Sequence, residues 1–284
     1  MSAVADVVAL TKPRITAEVL LTTAGGMWLA GHPSPLRAAL TLAGTALIVA
    51  GANTLNMYLE RDVDGKMART RDRPLPAGRL PPSVALAMGL ALGAVAIPLL
   101  TVGVNRVTGL LGAFSLLTYV LVYTPLKQRS SVALLVGAIP GAIPPLMGWT
   151  ATTGALSLPG LILFGILFIW QVPHFLAITL YRTDEYAGAG FKVLAAQRGP
   201  RAAKLHIVAW LACLVPVSML LVPVGVAHRA YAIAAPLLGL ALFGVGVAGL
   251  RRDAGERWAR WLFIASLVYL TALFGCLLVG GGSR

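Results

Sequence analysis

The chain has 284 residues, 58% of them hydrophobic and 12% charged, and a formal charge of +13, with a mean hydropathy of +0.82 and a pI of about 10.6. Those values exclude a soluble enzyme and a single-anchor protein, and the uninterrupted apolar runs exclude a β-barrel, whose strands would alternate. Nucleic-acid binding is excluded as well, because the basic residues lie between apolar runs and not on a polar face.

Spans of about 20 residues joined by short loops leave room for roughly eight to ten membrane crossings. The segment before the first span carries Asp6 and no small-residue cleavage pattern, so it reads as a retained terminus and not a signal peptide. Apolar runs then place nine spans at 15–31, 38–58, 82–101, 107–124, 132–150, 157–180, 204–225, 229–250 and 259–280. Glu18 in the first span is a cavity residue or a helix-end residue. Cys213 and Cys276 sit in apolar stretches and read as small buried hydrophobes. With the N-terminus in the cytoplasm, only Arg37, Arg106, Arg229 and Arg284 of the 23 lysines and arginines fall on the opposite side. That asymmetry predicts an integral protein of a prokaryotic inner membrane, N-terminus cytoplasmic and C-terminus on the far side. The expected fold is all-α, a polytopic bundle of nine transmembrane helices around a central cavity, in one domain over 1–284.

Two cytoplasmic loops, 59–81 and 181–203, are longer than the rest and are the candidate functional loops. Six of the ten carboxylates, Glu60, Asp62, Asp64, Asp72, Asp184 and Glu185, fall in or beside them. If the second span continues as helix past the bilayer edge, Asn56, Glu60 and Asp64 recur every four residues within an arc of about 80°. Such an oxygen-rich stripe suits Mg²⁺, which keeps several waters and bridges to substrate phosphates. Lys66, Arg69 and Arg73 follow at once and would meet phosphate charge, as would Lys127. The competing reading is a solvated loop whose charges pair with one another.

After span six, Arg182, Asp184, Glu185 and Tyr186 form a second acidic station on the same side. Two such stations at one basic membrane mouth suggest a Mg²⁺-held diphosphate whose hydrophobic tail lies in lipid. A kinase-type site is disfavoured by the lack of a glycine-rich phosphate loop with Walker spacing. Within span six, His174 follows Pro173 at membrane depth; it is a packed, hydrogen-bonded group or a cavity group able to ligate heme iron.

These residues resemble the UbiA-type intramembrane prenyltransferases and, among them, the heme-modifying branch. Asn56, Glu60 and Asp64 match the first aspartate-rich motif. The run Arg61-Asp62-Val63-Asp64, continued by Met67-Ala68-Arg69-Thr70-Arg71-Asp72-Arg73-Pro74-Leu75, is similar to that branch's longer signature. Further similarity lies at Leu10–Arg14, Tyr123–Lys127, Gly141–Trp149, Pro173–Phe175 and Asp184–Tyr186, so it extends over about 10–195. Met57 and Glu60 stand where the wider superfamily often has Asp, and Gly188 replaces a further acid of the second motif.

The resemblance implies transfer of a farnesyl group from farnesyl diphosphate to the 2-vinyl group of protoheme, with water addition, giving heme O and diphosphate. It also implies Mg²⁺ as cofactor, Asn56, Glu60, Asp64 and Asp184 with Glu185 as its ligands, and Lys66, Arg69, Arg73, Lys127, Arg182 and Tyr186 on the substrate. His174 is implied at the heme, and a heme A synthase or oxidase assembly factors are implied as partners. Two other readings stay open: a quinone-precursor prenyltransferase of the same architecture, and a transporter or channel.

Overall fold

The computed structural model describes residues 3–280. Among these residues every regular element is helical: α1 (Ala3–Leu10), α2 (Pro13–Ala30), α3 (Pro35–Asp64), α4 (Pro82–Gly103), α5 (Arg106–Leu117), a π-helical turn (Thr118–Tyr123), α6 (Thr124–Leu126), α7 (Ala133–Thr153), α8 (Leu158–Tyr181), α9 (Thr183–Gly188), α10 (Leu194–Met219), α11 (Arg229–Ala248) and α12 (Glu256–Gly280). Eight of the described helices are long and apolar enough to cross a membrane, counting 106–126 as one. The ninth expected span is α2, which has 18 residues and carries Arg14, Glu18 and three threonines that lower its hydropathy. The expected all-helical membrane bundle is the observed one. Arg284 lies outside the described residues.

Local chemistry explains the ends. Ser34 Oγ accepts the Arg37 N–H at 3.3 Å and Pro35 opens the first turn, a standard helix start. α3 then runs 30 residues, well beyond the 38–58 span, and carries the acidic stripe out of the apolar layer. Span seven differs more. Helix begins at Leu194, inside the expected loop 181–203, and is broken there at Gly199, which has φ 82° ahead of Pro200; the far end stops at Met219, where helix was expected to run to 225.

In sequence order α3 packs on α4, α4 on α5, and α5 on α7; α7 also meets α2 and α8, while α8 meets α10 and α12. One apolar cluster fills the α8–α12 half and a second lies among α3, α4, α5 and α7. Eight prolines sit inside helices, each removing one backbone donor from the helical ladder. Pro144 offers no N–H to the Pro140 carbonyl, which instead accepts from Ser115 Oγ at 3.4 Å.

The α2–α7 contact depends on two glycines. A Cβ on Gly26 would overlap the Pro145 carbonyl, and one on Gly148 the Thr23 carbonyl. Backbones this close give the dispersion contact that associates helices in lipid. Gly148→Ala should therefore cost about 1–3 kcal/mol through overpacking, read as a lower unfolding midpoint in detergent. Gly275→Ala, with nothing within 4 Å of its Cβ, should leave the midpoint unchanged or raise it.

Candidate active site

The helical period does what the four-residue spacing requires. Asn56, Glu60 and Asp64 share one face of α3 and are 2%, 4% and 3% exposed. Each meets a cation from a different segment. Lys12 Nζ donates to Asn56 Oδ1 at 3.2 Å, Lys127 Nζ lies 2.7 Å from Glu60 Oε1, and an Arg73 Nη lies 2.6 Å from Asp64 Oδ2. Asn56 Nδ2 donates to Thr124 Oγ1 at 3.2 Å, and Thr70 Oγ1 donates to the Asp64 carbonyl at 2.7 Å. The solvated-loop reading thus holds for the pairing of charges but not for their exposure: the pairs are buried at the mouth of the bundle.

Three local devices bring the cations in. Lys12 adopts φ 48°, ψ 66°, the left-handed region, and is the one described non-glycine residue with positive φ. That backbone costs of order 1 kcal/mol and turns the chain from α1 into α2 so that the ammonium points along α3. The π-helical turn accommodates an extra residue, and Thr124 Oγ1 closes it by donating to the Tyr119 carbonyl at 2.8 Å. It presents Thr124 and Lys127 to α3, with Lys127 Nζ 4.5 Å from the Tyr123 ring centroid. Gly137 makes room for that ring, since a Cβ there would overlap it. The first loop is folded by its own turns and tied down by Asp6 of α1, which accepts from Arg79 Nε at 3.0 and 3.1 Å.

Burial lowers the Lys12 pKa to about 7, reinforced by the neighbouring positive charges of Arg73 and Lys127 and opposed by Glu60 and Asp64. Three cations against two carboxylates leave the cluster with a demand for negative charge. A cleft of about 350 Å³ lined by Lys12, Arg69, Asp72, Arg73 and Arg79 opens beside it. The larger cleft of about 590 Å³, between Arg61, Asp62, Gly65 and the 75–82 segment, includes none of the three stripe residues.

The other expected site residues are placed differently. Lys66 and Arg69 are exposed, Arg69 on the cleft wall. Asp184 is exposed on α9, while Arg182 donates to Glu185 Oε2 at 2.8 Å. That hydrogen bond raises the Arg182 pKa. Tyr186 packs on Phe191 and belongs to a small cluster with Val63 and Met67, which holds the second loop against the end of α3. The Lys192 N–H bonds the Lys127 carbonyl at 2.9 Å, so both loops meet at Lys127. His174 lies apart from this cluster, bonded to Ser266 of α12. Glu18 is exposed on α2. Sequence reasoning missed Lys12, Thr124 and the Asp6–Arg79 tie as functional parts; the Lys-Pro pair at a helix start was the available signal for the first.

The residues fit a Mg²⁺ that stays partly hydrated. Among the described residues no three His, Cys, Asp or Glu side chains converge into a closed cage. The donors are instead one amide and two carboxylates along a helix face. Glu60 Oε1 is sealed from solvent, and Lys127 Nζ at 2.7 Å is its ion-pair partner without hydrogen-bond alignment. Such a set can take two or three positions on an ion whose others go to water and phosphate oxygen.

Known proteins are similar to this chain over nearly its whole length. The chain is 54% identical, over 95% of its length and 91% of the relative's, to "Protoheme IX farnesyltransferase" of Anaeromyxobacter dehalogenans. Its fold is similar to that of a digeranylgeranylglyceryl phosphate synthase structure, with TM-score 0.86, 14% identity and 99% of both chains covered. It is also similar to a UbiA homologue from Archaeoglobus fulgidus solved with DMAPP and Mg²⁺, with TM-score 0.69, 17% identity, and 96% and 99% coverage. The profile of the UbiA prenyltransferase family matches residues 19–267, which takes in both loops and the whole stripe, and the chain belongs to that family.

Proposed function

We propose that this chain transfers a farnesyl group from farnesyl diphosphate to the 2-vinyl group of protoheme, with water addition, giving heme O and diphosphate. The observation that carries the chemistry is the buried stripe Asn56, Glu60, Asp64 faced by Lys12, Arg73 and Lys127. The choice of acceptor is supported by the 54% identical relative, a protoheme IX farnesyltransferase. A transporter would spread its polar groups through the membrane depth, whereas here six of the ten carboxylates fall in or beside the two loops.

In this reading Asn56, Glu60 and Asp64 hold Mg²⁺, and Asp184 with Glu185 supplies the second station. Bound there, Mg²⁺ would supply positive charge to the diphosphate, a reading supported by the A. fulgidus homologue solved with DMAPP and Mg²⁺. Lys12, Arg73 and Lys127 leave their carboxylate and amide partners for phosphate oxygens, with Lys66, Arg69 and Arg182 at the rim. Their positive charge stabilises the leaving group as the allylic C–O bond breaks, where electrostatic assistance counts most. Apolar walls keep water from the farnesyl cation until the vinyl carbon has attacked it. The loop end of the bundle faces the cytoplasm of a prokaryotic cell, and product would pass to a heme A synthase or oxidase assembly factor.

The experiment is incubation of purified protein with Mg²⁺, farnesyl diphosphate and ferrous protoheme, followed by mass spectrometry. The hydroxyethylfarnesyl heme adduct is expected. Prenylation of a quinone precursor without that adduct would keep the diphosphate site and overturn the heme acceptor.

A further inference from the structure

Three side-chain amides are buried among the described residues, those of Asn53, Asn56 and Gln171. Asn56 bonds Lys12 and Thr124, and Gln171 Nε2 donates to the Leu167 and Ala138 carbonyls at 3.0 and 3.4 Å. Asn53 is 4% exposed, yet its side chain makes no hydrogen bond to any described residue. Neither of its amide atoms is among the sealed, unpartnered polar atoms, so both keep an edge on open space. An amide left unmet in the apolar depth of a bundle costs stability unless something polar meets it.

The period of α3 places that space. Glu60 follows Asn53 by seven residues, which brings the helix back to within about 20° of the same direction. Asn53 therefore continues the stripe one turn inward of Asn56, about 4.5 Å deeper. Gly51 and Leu55, two residues away on either side, press on α4: a Cβ on Gly51 would lie 3.2 Å from the Gly89 carbonyl oxygen, and one on Gly89 would overlap the Leu55 side chain. Asn53 stands about 160° from both, so it turns away from α4 and toward the interior of the bundle.

Farnesyl transfer to a vinyl group calls for one polar molecule inward of the diphosphate. When the farnesyl C1 bonds the outer vinyl carbon, the positive charge passes to the vinyl carbon next to the porphyrin ring, and water has to add there. We propose that Asn53 holds this water and so decides that the product is an alcohol. Asn53 Oδ1 accepts one O–H of the water, which turns an oxygen lone pair toward the cation. As the new C–O bond forms, an O–H bond of the water breaks, and its proton passes to the diphosphate released in the same turnover; the neutral amide is not the base. A water fixed on Asn53 has one direction of attack, whereas loose water would quench the farnesyl cation first. The inference rests on the heme reading of the function.

The test compares products by mass spectrometry after full-length protein in detergent has turned over Mg²⁺, farnesyl diphosphate and ferrous protoheme. Wild type should give the hydroxyethylfarnesyl adduct. Asn53→Leu should give chiefly an adduct lighter by one water, formed when the same cation loses a neighbouring proton to diphosphate and becomes an alkene. The ratio of hydrated to dehydrated adduct should fall about tenfold, the equivalent of one net hydrogen bond. The thermal shift given by Mg²⁺ and farnesyl diphosphate should stay at the wild-type value, because Asn56, Glu60 and Asp64 are untouched. A wild-type product ratio in Asn53→Leu overturns the assignment and leaves farnesyl transfer to protoheme intact. Should Asn53→Leu form neither adduct, Asn53→Val, smaller and equally unable to bond water, decides by the same ratio, and loss of both adducts there also overturns the water assignment. If wild type itself forms no protoheme adduct, the heme reading has failed and this inference falls with it.

Discussion

Asp64→Asn is expected to lower turnover by on the order of a thousandfold, the scale of losing one preorganised electrostatic contact to a developing charge. The substitution keeps an oxygen that can accept from Arg73, and the Thr70 contact is to the Asp64 backbone, so the fold has little reason to change. What disappears is one of two carboxylate charges on the α3 stripe. The thermal shift given by Mg²⁺ and farnesyl diphosphate should fall with turnover, because stabilisation by a ligand follows its affinity for the native state. An Asp64→Asn protein with normal turnover and a normal shift would remove the metal assignment.

Lys12→Met should move stability and binding in opposite directions. The wild-type ammonium is partly buried beside Arg73 and Lys127, and a lysine pKa held near 7 instead of 10.5 means a charged form disfavoured by roughly 5 kcal/mol in the ligand-free protein. Methionine fills similar space without that charge, at the cost of about 1–3 kcal/mol for the Asn56 oxygen left without its donor. Chelator-treated Lys12→Met should therefore unfold at a higher temperature than wild type. The sign of the pH dependence follows from a folded-state pKa below the unfolded one. The unfolded chain binds more protons between about 7 and 10.5, so wild type gains stability as pH rises through that window. The advantage of Lys12→Met is accordingly full below pH 7 and fades as pH rises toward 10.5. Diphosphate affinity should fall about tenfold to a hundredfold, the equivalent of one hydrogen bond to a charged group. Calorimetry with inorganic diphosphate and Mg²⁺, together with unfolding scans at several pH values, reads both arms. A variant that loses stability at pH 6 while binding diphosphate normally would make Lys12 a structural residue.

Much of this arrangement was legible from side-chain period. Asn56, Glu60 and Asp64 fall together because an α-helix repeats nearly every four residues, and α3 obeys that rule past the bilayer edge. Membrane helices were legible because lipid requires long apolar runs. The cations were harder. Arg73 sits in a loop whose turns place it, and Lys12 depends on a left-handed backbone that no hydropathy pattern encodes. The π-helical turn breaks the ordinary spacing, so the facing of Thr124 and Lys127 toward α3 cannot be counted from an ideal helix. His174 was visible as a polar residue at membrane depth, but its partner Ser266 is 92 positions away and only the packing of α8 on α12 brings them together. The helical run from Leu194 to Arg198 was hidden because it lies in a stretch that reads as loop and ends at a Gly-Pro pair.

The tie between Asp6 and Arg79 spans 73 positions, and it sets an order for the chain's emergence from the ribosome. α1 has no place to rest until α2, α3 and the whole first loop have followed it, so it waits while membrane insertion is already under way. In that interval Val4 and Val8, still exposed in the finished protein, give the waiting segment an apolar side for the bilayer surface. A fusion partner joined directly ahead of α1 would intrude on a late docking step, whereas most of the bundle would assemble unaware of it.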